Sequence, residues 1–228
     1  MAVIPSPILT HRFTRAFDFA TVVHASQCRK GTRIPYLAHL MGVASLVLEH
    51  GADEDTAIAA LLHDAPEDQG GRAMLAQIKA RFGDRVEKIV EGCSDTFEEP
   101  KPAWRERKEA YIAHLRDDAD LATCLVSAAD KLHNARAILH DIRNIGLEVF
   151  GRFRVSQEGS GWYYGSVASV LHHRLSGEEG IALAVALHHA IDEIAAHAGF
   201  EAFRSGVARG RRGEPCPAEA SAGAGEPA

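Results

Sequence analysis

The sequence predicts an all-α fold. Apolar residues recur at three- and four-residue steps along most of the chain, which is the pattern of helices with one buried face. Residues that favour helix ends stand at the borders of these stretches. The alternation of apolar and polar residues that marks a half-buried strand is almost absent. With 228 residues, of which 46% are hydrophobic, the chain is long enough for one domain with a large core.

The first three helices follow from these signals. Apolar residues share one face between residues 10 and 26. A second helix is expected after Pro35 and should end at Gly51, because glycine is favoured just past a helix end. Asp53 is a suitable N-cap for the third, since its carboxylate can accept hydrogen bonds from free backbone amides. That helix should end near Ala65, because the residue before a proline is driven out of the α region.

Further helices are expected along most of the remaining chain. They span residues 71–81, 83–94, 102–117, 119–141, 161–175 and 178–198. Residues 1–204 should therefore form a single domain. Residues 205–228 are rich in Gly, Ala, Pro and Glu and contain almost no large apolar residue, so this tail is expected to be disordered.

The net charge, the cysteine spacing and the lengths of the apolar runs exclude several classes of binding partner and site. A net charge of −6 gives no general attraction to nucleic acid or to a membrane surface, so neither is expected as a partner. The four cysteines are widely spaced and form no CxxC pair, which argues against zinc fingers and a disulfide framework. No apolar run is long enough to span a bilayer, and the N-terminus lacks a signal-peptide pattern. A cytoplasmic location is therefore expected, and the oligomeric state stays open.

Residues 61–69, LLHDAPEDQ, concentrate ionisable groups at the end of the predicted third helix. His63 and Asp64 are adjacent, so their side chains point about 100° apart on a helix. Both can nevertheless reach one ion that lies beside the helix end. Alone, the pair is more typical of a capped or salt-bridged helix end, and a binding site would need partners from elsewhere in the chain.

Two further residues supply such partners. His39 lies early in the second helix among apolar residues, and Asp130 follows an apolar run, LATCLVSAA, that should be buried. A buried carboxylate is costly unless it is paired, hydrogen-bonded or bound to a metal. Two imidazoles and two carboxylates suit Mn²⁺, Fe²⁺, Ni²⁺ or Zn²⁺, with positions left for water, as metal-assisted hydrolysis requires.

The order H…HD…D on successive helices resembles the HD-domain metal-dependent phosphohydrolases. More closely, HASQCRKGTRIPYLAHLMGVASLVLEHGADEDTAIAALLHDAPEDQ and SAADKLHNAR resemble the hydrolase domain of the Rel/SpoT alarmone enzymes and of their small stand-alone relatives. The match spans roughly residues 15–175, and no synthetase or regulatory domain is recognised, so a hydrolase-only form is expected. The resemblance implies an HD-type helical bundle with a metal at its centre.

The resemblance also implies roles for the ionisable residues. It makes two histidines and two aspartates the ligands of a divalent metal, usually Mn²⁺ in this family. These ligands are His39, His63, Asp64 and Asp130. It makes Glu67 and Asp68 the catalytic pair that supports attack by water, and a well-placed carboxylate can orient water and take its proton. Pro66 would turn the chain so that both acids overhang the open side of the metal.

Substrate contacts are implied in the same way. Alarmones such as ppGpp are small nucleotides with a diphosphate on the ribose 3′-oxygen as well as on the 5′-oxygen, so they are strongly anionic. Arg29 and Lys30 match family residues at the nucleotide, with an exposed basic turn as the alternative. Lys108 matches a lysine near the phosphates. Asn134 shares a helix face with Asp130 and matches a substrate-contacting asparagine.

Other polar and aromatic residues receive weaker assignments. Tyr163 and Tyr164 are expected either near the sugar and base or in the core. His24 is expected to support the site from its helix face, three residues before Gln27. His133 fits no ligand spacing and is not expected to bind the metal.

The leading function is release of pyrophosphate from the 3′-diphosphate of an alarmone nucleotide. Guanine alarmones, (p)ppGpp, are the default of the family, and adenine counterparts such as pppApp are the alternative. Two other functions stay open: an HD phosphohydrolase acting on a nucleoside monophosphate or cyclic nucleotide, and a non-catalytic sensor that binds an alarmone. A sensor would usually have lost a ligand or an acid, and all six are present.

Overall fold

The computed structural model describes residues 9–97, 100–152, 155–178, 180–197 and 199–217. Within these ranges the chain forms α-helices and one short 3-10 helix but no β-strand, which confirms the predicted all-α class. The helices are α1 (His11–Val23), α2 (Leu37–Glu49), α3 (Glu54–Leu62), α4 (Ala65–Gln69), α5 (Gly71–Phe82), α6 (Asp84–Cys93), α7 (Trp104–Asp117), α8 (Leu121–Ile145), α9 (Gln157–Arg174), α10 (Ile181–Ala196) and α11 (Glu201–Arg211), and the 3-10 helix is Gly146–Arg152. Among these, no helix combines the length and the apolar character that crossing a bilayer requires.

Several helices begin at side chains that cap them. The Asp53 carboxylate accepts a hydrogen bond from the Thr56 backbone amide at 3.0 Å, which confirms the predicted N-cap of α3. Asp120 does the same for the Thr123 amide at 2.9 Å and fixes the start of α8. Each cap satisfies a backbone donor that the helix itself leaves free. The two helices that carry most of the site therefore have defined starting points.

The centre of the bundle is formed by α2, α3 and α8. Every residue of α3 from Thr56 to Leu62 is buried, so this helix has no solvent face. It packs between α1, α2 and α6, while α8 packs against α2 and α10. A helix that is apolar all round belongs in a core. The ends of these three helices consequently bring their polar residues together inside the protein.

The turn that follows α3 differs from the prediction in detail. The helix ends at Leu62 instead of near Ala65, and Pro66 stands in the first turn of a new helix, α4. Proline is tolerated there because a first-turn residue has no intrahelical partner for its amide. The backbone amide of Asp68 donates to the Asp64 carbonyl at 3.0 Å. The two predicted catalytic acids are thus on a short helix and not in a loop.

The ordered part of the chain continues beyond residue 204, where the sequence predicts the domain to end. Helix α11 runs to Arg211 and buries Phe203 and Val207, and Cys216 is also buried. The predicted disordered tail therefore starts too early by at least this helix. Residues 218–228 lie outside the described residues.

Helix α11 is held against α9 by a contact between backbones. Gly161 and Gly165 of α9 lie against the backbone of α11, and Gly206 and Gly210 of α11 lie against the backbone of α9; the two glycines on each helix are four residues apart. A Cβ at Gly206 would lie 2.0 Å from the Glu158 carbonyl oxygen, and one at Gly165 would lie 2.5 Å from the carbonyl oxygen of Val207. Small residues at this spacing let two helix backbones approach closely. This packing needs few large apolar residues, which is why a hydrophobic pattern does not predict it.

Candidate active site

Three helices place two imidazoles and a carboxylate at one buried point. His39 lies in the first turn of α2, His63 directly follows α3, and Asp130 lies in the middle of α8. Asp130 Oδ1 is 3.2 Å from His39 Nε2 and 3.7 Å from His63 Nε2. One ligand atom from each residue lies within 4.8 Å of the other two, and the three residues are 1%, 3% and 7% exposed. This arrangement forms a candidate metal centre.

Asp64 faces the same point from the turn after α3. Its Oδ2 is 3.0 Å from His63 Nε2 and 3.5 Å from His39 Nε2. The Tyr36 hydroxyl donates a hydrogen bond to the same oxygen at 2.6 Å. Asp64 is outside the set of three within 4.8 Å of one another, but its carboxylate contacts both imidazoles. All four predicted ligands are therefore gathered in one place.

The unpaired nitrogens of the two histidines fit a divalent metal. His63 Nδ1 donates to the Ala60 carbonyl at 2.8 Å, so its Nε2 carries a lone pair toward the carboxylates. The buried Nε2 atoms of both His39 and His63 have no hydrogen-bond partner among the described residues. Buried polar atoms without a partner are rare in folded proteins, and imidazole lone pairs beside carboxylates suit first-row divalent ions. The residues present thus fit a bound divalent metal.

The carboxylate of Asp130 is held in its charged form by neighbours on the same helix. Burial opposes ionisation, but the Lys131 ammonium keeps the pKa of Asp130 well below its usual range. Lys131 Nζ lies 2.5 Å from Oδ2, and Asn134 donates to Oδ1 at 2.6 Å. The oxygen that faces the imidazoles therefore also accepts a hydrogen bond from Asn134.

The two predicted catalytic acids lie on α4, beside this centre. Glu67 is half-buried, and burial together with the nearby Asp95 carboxylate raises the pKa of its side chain. A higher pKa makes a carboxylate a better proton acceptor near neutral pH. Asp68 is exposed, and its Oδ2 accepts a hydrogen bond from Gln27 at 2.7 Å. Gln27 in turn lies 2.7 Å from His24 Nδ1, so His24 reaches the site through Gln27.

A cavity of about 420 Å³ opens on one side of the centre. Arg29 lies at its edge, where the guanidinium donates to Asn134 at 2.6 Å and sits 5.7 Å from the centroid of the Tyr36 ring. Apolar side chains cover part of its wall. Its lining includes Arg29, Lys30, Ile34, Asn134, Ile138 and Tyr164. This cavity therefore combines cationic groups with an apolar surface.

A second cavity, of about 180 Å³, lies between α7, α8 and α9. Two lysines of its lining lie near the Tyr163 ring: Lys108 Nζ is 5.0 Å and Lys131 Nζ 5.8 Å from the ring centroid. Lys108 also donates to Asp95 at 2.6 Å. The lining includes Trp104, Lys108, Lys131, Asn134, Ser160 and Tyr163. Because Asn134 lines both cavities, the two are neighbours on the same side of Asp130.

Comparison with known families assigns the fold that carries this centre. Residues 16–161, more than half of the chain, match the family described as HD domain. The chain belongs to the HD domain family. The predicted family and its helical bundle are thereby confirmed, and the histidine and aspartate residues of this HD domain stand where its helices meet.

Curated relatives of this HD-domain chain include long and short proteins. The guanosine-3′,5′-bis(diphosphate) 3′-pyrophosphohydrolase of Aquifex aeolicus is 38% identical over 125 residues, which are 54% of this chain and 17% of that protein. The guanosine-3′,5′-bis(diphosphate) 3′-pyrophosphohydrolase MESH1 of Xenopus tropicalis is 39% identical over 124 residues, which are 53% of this chain and 66% of that protein. This chain therefore spans less than a fifth of the first relative and just under two thirds of the second.

Two solved structures resemble the bundle. A metazoan orthologue of SpoT, described as hydrolysing ppGpp, superposes with a TM-score of 0.63 at 23% identity and covers 81% of this chain and 96% of its own. At that identity the likeness shows the fold. A protein of Listeria monocytogenes EGD-e superposes with a TM-score of 0.57 at 28% identity and covers 70% of this chain and 99% of its own.

The HD-domain structure also contains site residues that sequence reasoning missed. Lys131 and Ser160 line the smaller cavity. Tyr163, which is buried, and Tyr164, which is half-buried, line it too, and the sequence predicts both either near the substrate or in the core. His133 was set aside because it fits no ligand spacing, yet its ring packs edge-on against that of His39. Lys131 directly follows Asp130 in the sequence. It could have been predicted as a site residue because a buried carboxylate needs a neighbouring positive charge.

Proposed function

We propose that this HD domain hydrolyses the 3′-diphosphate of alarmone nucleotides such as ppGpp and releases pyrophosphate. The observation that carries the proposal is the buried trio of His39, His63 and Asp130, with the acids of α4 and two cavities lined by cationic side chains beside it. Support also comes from relatives that are named for this activity. A strongly anionic nucleotide requires both features at the same site.

We propose that His39, His63, Asp64 and Asp130 hold the metal, with Mn²⁺ as the ion. A bound divalent ion supplies Lewis acidity, which makes water a stronger acid and offsets negative charge on a phosphoryl group. Asp130 stays ionised beside Lys131, so the centre is prepared for a cation before it binds one. The cytoplasm as the place of the reaction stays a prediction.

The acids on α4 are proposed to handle the proton of the attacking water. Glu67 is the proposed acceptor because its side chain is half-buried and its pKa is raised by burial and by Asp95. Asp68, oriented by Gln27, is proposed to position the water. The water oxygen forms a bond to the phosphorus nearest the ribose while its proton passes to a carboxylate of this chain. The bond from that phosphorus to the ribose 3′-oxygen breaks, and this oxygen takes up a proton, so that pyrophosphate and a nucleotide with a free 3′-hydroxyl are released.

Replacing Glu67 with glutamine should lower turnover by about 10²–10⁴-fold, because a proton acceptor is lost while side-chain size is kept. Affinity for Mn²⁺, measured by titration calorimetry, should change by no more than a few-fold. Glu106→Gln, which alters an exposed glutamate on α7, is the matched control and should leave turnover unchanged. Wild-type turnover in Glu67→Gln would rule out this role.

The two cavities are proposed to divide the substrate between them. Arg29, Lys30 and Asn134 border the larger one, whose apolar wall suits a purine ring. Lys108 and Lys131 border the smaller one, whose volume and charge suit phosphate groups. Ammonium and guanidinium groups are the usual protein partners of phosphate.

Replacing Lys108 with methionine should raise the KM for ppGpp about 10–100-fold with a smaller change in kcat, because a charged hydrogen bond to phosphate is lost. Steady-state kinetics with ppGpp measures the effect. Lys88→Met is the control, since the Lys88 side chain is 70% exposed. An unchanged KM in Lys108→Met would remove this lysine from the proposed phosphate site.

The decisive experiment measures pyrophosphate release from ppGpp and pppApp in the presence of Mn²⁺. Turnover of ppGpp supports the proposal, and the ratio of kcat/KM for the two substrates gives the base preference. Release of inorganic phosphate from a nucleoside monophosphate, or opening of a cyclic nucleotide, would support a different HD phosphohydrolase instead. Tight binding of ppGpp without turnover of any substrate would support a sensor.

A further inference from the structure

His39 and His133 face each other through the same ring atom. Their Nδ1 atoms are 2.9 Å apart, and the ring centroids are 4.8 Å apart at an interplanar angle of 67°. Two nitrogen atoms at this distance share a hydrogen bond only if one of them carries the hydrogen and the other offers a lone pair. The direction of this bond therefore fixes which nitrogen of each ring is protonated.

The surroundings of Nε2, the second nitrogen of the His39 ring, indicate which of the two histidines donates this hydrogen bond. Its Nε2 points at Asp130 Oδ1, 3.2 Å away, and has no hydrogen-bond partner among the described residues. An imidazole that binds a metal through Nε2 must carry its hydrogen on Nδ1. With an ion on Nε2, the Nδ1–H of His39 would donate to His133, and His133 would accept through a bare Nδ1.

The two imidazoles of the centre are thus oriented by different kinds of acceptor. His63 donates to the carbonyl oxygen of Ala60, which can only accept. His39 donates to His133, a side chain that can exist in either tautomer. Only the second of these contacts can be removed by a side-chain substitution.

The position of His133 depends on a glycine in α2. Gly42 follows His39 by three residues, so it lies one turn further along the same face of the helix. A Cβ at Gly42 would lie 2.3 Å from both Cδ2 and Nε2 of His133. The His133 ring therefore occupies the space that the absence of a side chain at Gly42 leaves open.

We propose that His133 is a positioning residue that holds His39 in the tautomer with a bare Nε2, and so prepares the centre for a divalent ion. The proposal rests on the metal site of the proposed function but not on its substrate. It assigns a role to a residue that lies on α8 one turn beyond Asp130 and contacts no other predicted ligand than His39 among the contacts described.

Two substitutions at residue 133 separate hydrogen bonding from packing. His133→Asn can place an amide oxygen near the present position of Nδ1 and so keep an acceptor, whereas His133→Leu removes it. Apparent affinity for Mn²⁺, measured by titration calorimetry, should fall about 10–100-fold in His133→Leu and only a few-fold in His133→Asn. His173→Leu, at an exposed histidine of α9, is the control for the substitution type.

A spectroscopic measurement tests the tautomer directly and does not require metal. In ¹⁵N-labelled metal-free protein, two-bond ¹H–¹⁵N correlations should show a larger share of His39 with hydrogen on Nδ1 in the wild type and in His133→Asn than in His133→Leu. The hydrogen should shift toward Nε2 in His133→Leu. Gly42→Ala, which pushes the His133 ring away from α2, should reproduce the His133→Leu spectrum of His39 without altering residue 133.

Specific outcomes would overturn the proposal. An equal share of the Nδ1–H tautomer of His39 in the wild type and in His133→Leu would do so, as would wild-type Mn²⁺ affinity in His133→Leu. A wild-type protein that shows the expected tautomer and binds Mn²⁺ but does not hydrolyse ppGpp would leave this proposal intact and reject the proposed substrate. Circular dichroism of each variant confirms that the helices are retained.

Discussion

Replacing Asp130 with asparagine should weaken Mn²⁺ binding and ppGpp hydrolysis by at least ~100-fold each. Asp130 is the carboxylate that lies against both imidazoles of the centre, and it also balances the charge of the partly buried Lys131. Asparagine keeps the size of the side chain and removes the charge. The change therefore takes away the anionic ligand and leaves one carboxylate, Asp64, to face the ion.

The measurements for Asp130→Asn are calorimetric Mn²⁺ affinity, pyrophosphate release and melting temperature. Breaking a buried ion pair costs about 3–5 kcal/mol when the remaining charge stays unpaired, so some loss of stability should accompany the loss of binding. Asp118→Asn, at an exposed aspartate after α7, is the matched control. Native metal affinity in Asp130→Asn would contradict the assignment of the centre.

Replacing Gly206 with valine should be the most destabilising single change in the last part of the chain. Any Cβ at this position would lie 2.0 Å from the carbonyl oxygen of Glu158 and 2.7 Å from the amide nitrogen of Trp162. Both neighbours are backbone atoms of α9, so no side chain can move aside. Overpacking typically costs about 1–3 kcal/mol, and a branched side chain against backbone should reach the upper end of that range or exceed it.

For a chain of this size, each kcal/mol lowers the melting temperature by about 2–4 °C. Thermal unfolding followed by circular dichroism should therefore show a fall of several degrees in Gly206→Val. Gly151→Ala is the control, because a Cβ there meets no atom within 4 Å. Equal melting temperatures for Gly206→Val and the wild type would mean that the two helices separate without cost.

The proposed metal ligands could be predicted from the sequence because ionisable residues are unusual within apolar stretches. His39 and Asp130 stand in apolar runs, and a buried ionisable group needs a partner whichever fold surrounds it. His63 and Asp64 could be interpreted as metal ligands only because His39 and Asp130 were available as partners from other helices. The start of α3 was also predictable, since an N-cap depends on residues that are adjacent in the chain.

The features that sequence reasoning missed depend on contacts between distant residues. Helix α11 packs through glycines, and glycines leave no hydrophobic pattern to recognise. His133 contacts His39 across 94 residues of chain, so no spacing along one helix could reveal it. Pro66 was taken as the end of a helix although it stands in the first turn of the next one, because proline is equally suited to both positions.

The aromatic lining of the smaller cavity has a practical consequence. The chain contains two tryptophans, and their ring centroids are 6.3 Å apart, with Trp104 also 6.1 Å from Tyr163, the ring near both lysines. All indole emission therefore originates at one corner of the molecule, next to the place where phosphate groups are proposed to bind. Intrinsic tryptophan fluorescence can therefore be used to follow ligand titrations without an attached dye.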